Sequence, residues 1–456
     1  MLRLAPKPPF NKVLRLGGAQ CLTRCRPPKI RHVQNRTYSV NNRINATEVE
    51  RILIDSIKAA GPISFSTYMQ LCLAHPTHGY YMKPEHEVFG ARGDFITSPE
   101  VSQVFGELMA VWMLERWMKD AQSKPFRIVE LGPGRGTLMA DMLRVISQFP
   151  SLREKLAGVH LVETSESMRS MQKKTLHTAI PSGQIMWHDA VEDIPLNDGK
   201  YTMLAAHEFF DALPVHVLER TQQGWHEVLI ALAQDDSASS PPSSPPGNIS
   251  NNSDITPRWR LVLSPSPTAS STILGLASPR FKTAEVGTRI EVSAASMRTA
   301  RRIGDLLASD GGCALVVDYG GDHTFGNSIR AFKDHKIVDI FDLPGECDIT
   351  ANVDFALLKE VLGKNVTTYG SIPQGDFLTR LGLRLRVEAL KRAASSDLRK
   401  DAIETGAQRL VDPLGMGGQY RVMGVTSRIE GDKDREVWPF VDIAAQADTD
   451  CINVQS

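Results

Sequence analysis

No aspartate or glutamate occurs before Glu48. The same stretch carries ten basic residues: Arg3, Lys7, Lys12, Arg15, Arg24, Arg26, Lys29, Arg31, Arg36 and Arg43. An arginine-rich, acid-free start is the pattern of a mitochondrial targeting peptide. Arg36-Thr37-Tyr38-Ser39 fits a matrix-protease site, with an arginine, a gap, an aromatic and a cut before serine. Residues 1–38 are therefore expected to be a targeting peptide, and the mature protein to act in the mitochondrial matrix. Cleavage there removes nine basic and no acidic residues, leaving 43 against 52, a net charge of −9. That balance excludes a generally basic nucleic-acid-binding surface and is compatible with a cationic substrate.

Other absences narrow the class further. No run of ~20 apolar residues is present, so no transmembrane helix is expected. The six cysteines are scattered, with Cys21 and Cys25 in the basic start and Cys72, Cys313, Cys347 and Cys451 far apart. None has metal-ligand spacing, and reduced thiols without a metal are expected. No internal repeat is visible. Residues 234–257 hold almost nothing that could build a core. Rich in Ser, Pro and Asn, they are expected to form a disordered, dispensable insertion.

What remains is globular. The apolar pattern predicts helices over 48–58 and from Ser66, and a long buried helix over 101–120. A glycine-punctuated loop covers 88–100. From residue 126 the period changes. Short apolar strands at 127–131, 159–163, 184–189 and within 201–210 alternate with amphipathic helices at 137–149 and 167–176. A helix at 296–308 leads into a strand at 313–320. This alternation predicts an α/β fold with a doubly wound, mostly parallel sheet of Rossmann-like type. Strands at 225–232 and 259–264 flank the insertion as a hairpin. The division expected is a helical, site-lining region at 48–125, a catalytic domain at 126–427 with helices appended at 374–410, and a loose acidic tail at 428–456.

The strongest chemical signal is "VELGPGRGTL". Glu130 ends a strand, Gly132, Gly134 and Gly136 alternate, and a helix begins. Glycines let the backbone turn tightly and approach a ligand. The helix start offers free N–H groups. A nicotinamide fingerprint spaces its glycines differently. Acid-x-G-x-G-x-G instead resembles the first motif of S-adenosylmethionine-dependent methyltransferases, where the loop binds the amino-acid end of the cofactor. Glu163 ends the second strand, where a carboxylate can accept ribose hydroxyls. Asp189 ends the third, in the position resembling the adenine contact of that superfamily.

The fourth strand runs into "HEFFDALPVH", which puts Glu208 and Asp211 at a strand end, where the methyl acceptor should lie. Phe209, Phe210 and Pro214 could wall the pocket or belong to the core. His207 reads as structural. A protonated arginine suits such a site: paired carboxylates can accept its N–H groups in fork geometry and hold it in line. An amine or amide acceptor would also fit.

Together the segments "ISFSTYMQLCLAHPTHGYYM", "GDFITSPEVSQVFGE", "ELGPGRGTL", "HLVETSESMRSMQ", "HEFFDALPV", "VVDYGGDH", "GECDITANVDF" and "LGMGGQYRVM" resemble the MidA-like methyltransferases. These are mitochondrial complex I assembly-factor arginine methyltransferases, and the resemblance spans about Ile63 to Gly424. It implies S-adenosylmethionine as cofactor and symmetric dimethylation of an arginine in a core matrix-arm subunit of complex I. It carries the cofactor roles to Glu130, Gly132, Gly134, Gly136, Glu163 and Asp189, and the acceptor roles to Glu208 and Asp211. It adds Asp94, Thr97, Ser98, Glu100, Phe209 and Asp318 as substrate-lining residues, with Tyr319 beside them. Competing readings are a non-catalytic assembly scaffold on the same fold, and a methyltransferase for RNA or a small molecule.

Overall fold

The computed structural model describes residues 46–83, 96–233, 258–428 and 436–441. The basic start, Asp94, the insertion at 234–257 and most of the acidic tail lie outside the described residues. Among the described residues, no helix is long and apolar enough to cross a membrane.

The scaffold is an eight-stranded sheet. In chain order its main strands are β1 Phe126–Leu131, β2 Leu156–Val162, β3 Ile185–His188, β4 Tyr201–His207, β5 Gly312–Gly321, β6 Val366–Pro373 and β7 Tyr420–Ser427. Across the sheet they run β6-β7-β5-β4-β1-β2-β3. β3, β2, β1, β4 and β5 are parallel, while β7 pairs antiparallel with both β5 and β6. The eighth strand, Val353–Asp354, pairs with the end of β5. Strand order reverses between β1 and β4, and the cleft outside their carboxyl ends is where such sheets bind ligands.

Both faces are covered, as the apolar runs require. β1 and β4 are buried at every residue. One face packs the helices Gln103–Asp120 and Thr137–Ser147 together with the later helices Gln374–Arg380, Leu383–Ala393 and Asp397–Val411. Helices Ala294–Asp310 and Phe355–Leu362 cover the other face. Phe377 and Leu378 have no exposed surface, so the charged later helices are part of the main core.

Three local expectations are corrected, and one is extended. The helix near Ser66 is Phe65–Ala74, and its cap is Ser64, whose side chain accepts from Thr67 N. The long helix at 101–120 is interrupted: Ser98–Val101 forms one turn, Ser102 is extended at φ −159°, and Gln103–Asp120 restarts from it. The expected hairpin flanking the insertion is present, and it belongs to a second, antiparallel sheet whose strands, apart from the first, lie in sequence between β4 and β5. Its strands are Ile63–Ser64, His216–Thr221, Gly224–Leu232, Trp259–Leu263 and Arg289–Val292. The tail is not loose throughout, because Val437 is buried and Trp112 Nε1 donates to Trp438 O at 2.9 Å.

A third small sheet, Arg330–Lys333, Lys336–Val338 and Asp348–Thr350, packs with the helices Glu48–Ala60 and Phe65–Ala74 and the second sheet around one apolar cluster. Residues from Phe65–Ala74, from the turn Tyr80–Met82 and from the third sheet wall the cleft at the strand ends.

Candidate functional site

A cavity of about 450 Å³ opens at the carboxyl ends of β1, β2, β3 and β4. Its first wall is the glycine loop. Gly132, Gly134 and Gly136 all have positive φ (62°, 50° and 83°), which a side chain would make costly. A Cβ on Gly132 would stand 3.1 Å from the Phe209 ring. Gly132 N donates to Val162 O at 3.0 Å, joining the loop to the end of β2. Helix Thr137–Ser147 starts directly after Gly136.

Glu130 lies below the loop. Its carboxyl accepts from the Met139 N–H in the first turn of that helix, and one of its oxygens is buried without a partner. Burial, with Asp141 nearby, holds its pKa well above the usual carboxylate range. A ligand ammonium would reverse that by supplying a charge partner.

The second wall is built around Glu163, just past β2. Oε1 accepts from Ser165 N at 2.8 Å, and Oε2 accepts from Gln172 Nε2 at 3.2 Å. The Thr164 N–H bonds it as well, and since a carboxylate has about four acceptor positions, a hydroxyl group can still be taken. Gln172, fully buried, also donates to Gly134 O at 2.8 Å and accepts from Trp187 Nε1 at 2.9 Å. It thereby ties the loop, Glu163 and β3 into one unit. Sequence reading missed Gln172; its apolar neighbours on the helix Glu166–Leu176 were the only hint that it faced inward. Asp189 stands exposed at the rim, paired with Arg169 Nη2 at 2.5 Å.

The third wall is acidic. Glu208 follows β4 with φ +49°, a left-handed conformation that costs a non-glycine residue about 1–2 kcal/mol. Its N–H donates to Val317 O at 2.9 Å, and Tyr420 O–H donates to its Oε1. Burial, and the carboxylates of Asp211, Asp348 and Glu100, push its pKa up to about 8. Asp211 is raised by burial and shares a hydrogen bond with Asp318. Such a carboxyl pair needs a proton, and Asp318, fully buried, is the one held furthest up. Asp348 accepts from Tyr81 O–H at 2.6 Å. His207 is driven down to about 3 by burial and is neutral.

The expected site residues divide cleanly. Glu130, Gly132, Gly134, Glu163, Asp189, Glu208, Phe209, Asp211, Thr97 and Glu100 line the one cavity. Three do not. Gly136 serves as the turn into the helix. Ser98 points inward, donating to Gln374 Oε1 at 3.1 Å, because the one-turn helix it starts buries its side chain. Asp318 lies beneath the cavity, accepting from Phe210 N at 3.2 Å. Asp94 is outside the described residues. Asp348 and Tyr420 line the cavity without having been singled out; no local pattern marks them, since tertiary folding alone brings them to Glu208.

A family model described as S-adenosyl-L-methionine-dependent methyltransferase matches residues 108–372. This chain belongs to that methyltransferase family. A zebrafish (Danio rerio) relative named "Protein arginine methyltransferase NDUFAF7, mitochondrial" is 37% identical over 391 residues, 82% of this chain and 85% of its own. The human protein of the same name is 32% identical over 427 residues, covering 88% and 89%. The homolog in Drosophila melanogaster is 36% identical, covering 81% and 82%. A crystal structure from Burkholderia thailandensis, bound to S-adenosyl-homocysteine, superposes with a TM-score of 0.64 at 23% identity, over 83% of this chain and 91% of that one. The methyltransferase's cofactor suits the residues present. The bare glycine backbone leaves room for a close approach, Glu163 has an acceptor position to spare, and Glu130 lacks a cation.

Proposed function

We propose that this methyltransferase acts on an arginine side chain of a protein, in the mitochondrial matrix, and makes the symmetric dimethyl product on a core matrix-arm subunit of complex I. The observation that carries the arginine reading is the acidic wall. Glu208, Asp211, Asp348 and Glu100 share one cavity, and Glu208 is raised to about 8 because burial and like charges surround it. A guanidinium brings the missing positive charge and several N–H donors in a planar fork. The names borne by the zebrafish and human relatives support an arginine acceptor and a mitochondrial location.

In the reaction, a guanidinium nitrogen forms a bond to the methyl carbon as the carbon–sulfur bond breaks, and that nitrogen gives up one proton. The cofactor, when bound, supplies the methyl group as an electrophile on a positively charged sulfur. Glu130, the glycine loop and Glu163 would hold it. Glu208 and Asp211 accept guanidinium N–H bonds and concentrate electron density on the attacking nitrogen. Glu208 can also receive the released proton, since its pKa lies close to neutral. Phe209 and Pro214 exclude water from the carboxylates, which strengthens each of these interactions.

The test is mass spectrometry of complex I subunits from cells lacking the protein, against normal cells. One arginine should lose two methyl groups, and purified protein with S-adenosyl-L-methionine should restore them. Glu208→Gln and Asp211→Asn should each bind cofactor normally and lower turnover about 100-fold or more. An unchanged methylation pattern beside failed assembly of complex I would overturn the reading in favour of a scaffold.

A further inference from the structure

Glu208 is met by a side chain that lies 212 residues further along the chain. Tyr420 opens β7, the antiparallel strand beside β5, and its phenol lines the cavity wall. We propose that Tyr420 is the positioning residue of the acceptor site: its O–H holds one oxygen of Glu208, so that the other is presented to the acceptor. What the acceptor is rests on the arginine reading; the role of Tyr420 does not.

Three features of the geometry carry the proposal. First, the hydrogen bond is made to a carboxylate in the cavity wall. A buried phenol whose role was only structural would be satisfied by any main-chain carbonyl. Second, the ring is packed between aromatic neighbours. His207 stacks with it at 6.1 Å with planes only 8° apart, and Tyr319 lies tilted against it at 4.0 Å. The stack continues outward: Phe105 meets His207 edge-on at 5.0 Å, and the Arg330 guanidinium covers Tyr319 at 5.2 Å. A ring clamped in this way fixes where its O–H points. Third, Glu208 itself is fixed at the main chain by its left-handed φ and by its N–H bond to Val317 O. With the backbone set by β4 and β5 and one oxygen set by β7, little rotamer freedom is left to lose when a substrate arrives.

Asp318 and Tyr319 also face Glu208, each raised in part by its charge. Asp211, Asp348 and Glu100 oppose its ionisation, and the Tyr420 hydrogen bond favours it. His207 Nε2 lies 3.6 Å away but is neutral. The Tyr420 hydrogen bond favours the charged form, so its removal has a sign that can be measured.

Tyr420→Phe keeps the ring and the stack and deletes only the O–H. The titration of the Glu208 carboxyl is followed by infrared difference spectroscopy on the full protein, with Glu208→Gln as the blank. The midpoint should move to higher pH in Tyr420→Phe, because a donor to the charged form is gone. An unchanged midpoint overturns the proposal, whatever the acceptor proves to be. In methyl transfer to an arginine peptide, kcat should fall about 10-fold, with cofactor affinity and Tm unchanged and with activity regained as pH rises. A loss that comes with lower Tm and does not respond to pH marks a structural residue and also overturns it. If the unaltered protein methylates no arginine peptide, the arginine reading fails, and the infrared midpoint still decides the role of Tyr420.

Discussion

At the scale of single residues, the glycine loop and the acidic wall make opposite demands. Gly134 has φ +50°, and its carbonyl accepts the bond from Gln172 that anchors the loop to Glu163. A β-branched side chain there strains the left-handed backbone by about 1–2 kcal/mol and fills the surface the cofactor must approach. Gly134→Val is therefore expected to fold and to lose cofactor binding, read by calorimetry with S-adenosyl-homocysteine. Undiminished affinity would remove the loop from the cofactor site. Gln172→Leu isolates the anchor. It leaves the loop's own dihedrals free of strain but strips hydrogen bonds from Gly134 O, Glu163 and Trp187. Lost hydrogen bonds of this kind cost about 1–3 kcal/mol, so affinity for S-adenosyl-homocysteine should drop roughly 5- to 100-fold. A change smaller than twofold would show that Glu163 is oriented without Gln172.

At the scale of elements, the parts of the fold that could be read from sequence were those with a local cause. The strands of the parallel sheet are continuous apolar runs, and the acids at their ends stand out against them. The second sheet was not legible as a sheet. Ile63 and Ser64 pair with Ile230 and Leu229, a partnership between distant segments that leaves no periodic trace. Ser66 stands inside the helix, and only the bond from Thr67 N marks Ser64 as the cap. The site followed the same division: Glu163 and Glu208 sit at strand ends and were visible, whereas Asp348 and Tyr420 reach the cavity only through tertiary packing. The hairpin around residues 234–257 gives a test at this scale. Leu232 pairs with Trp259, and Ala233 N donates to Arg258 O at 3.0 Å, so the strands have already met where the insertion leaves them. Replacing residues 235–256 by a two-residue Asn-Gly turn should leave Tm within about 2 °C, since roughly 1 kcal/mol shifts a chain of this size by less than a smaller domain, and leave methyl transfer unchanged. A collapse of either would mean that the insertion contributes to folding or to substrate capture.

At the scale of the whole molecule, the acidic cavity couples stability to pH. Glu208 is raised from an ordinary carboxylate value of 4.5 to about 8 in the folded protein. Between those limits the folded state holds a proton that the unfolded state has released. Stability from this group is therefore fully present below pH 4.5 and is lost as pH rises towards 8. Glu130 and Asp318, also raised by burial and like charge, act in the same direction. Above neutral pH the pocket is thus strained and partly ionised, and a cationic ligand bound there would relieve the strain while contributing to its own affinity. Glu208→Gln removes the ionisable group and keeps nearly the same shape. Its Tm should exceed that of the unaltered protein at pH 8–9, by an amount on the order of a few kcal/mol of stability. The difference should close towards pH 5, where Glu208 is protonated in the folded protein. Thermal melts of the two proteins across that range decide the matter. Parallel curves would mean that Glu208 ionises normally, and that its carboxylate is already charged at neutral pH before any cationic substrate enters.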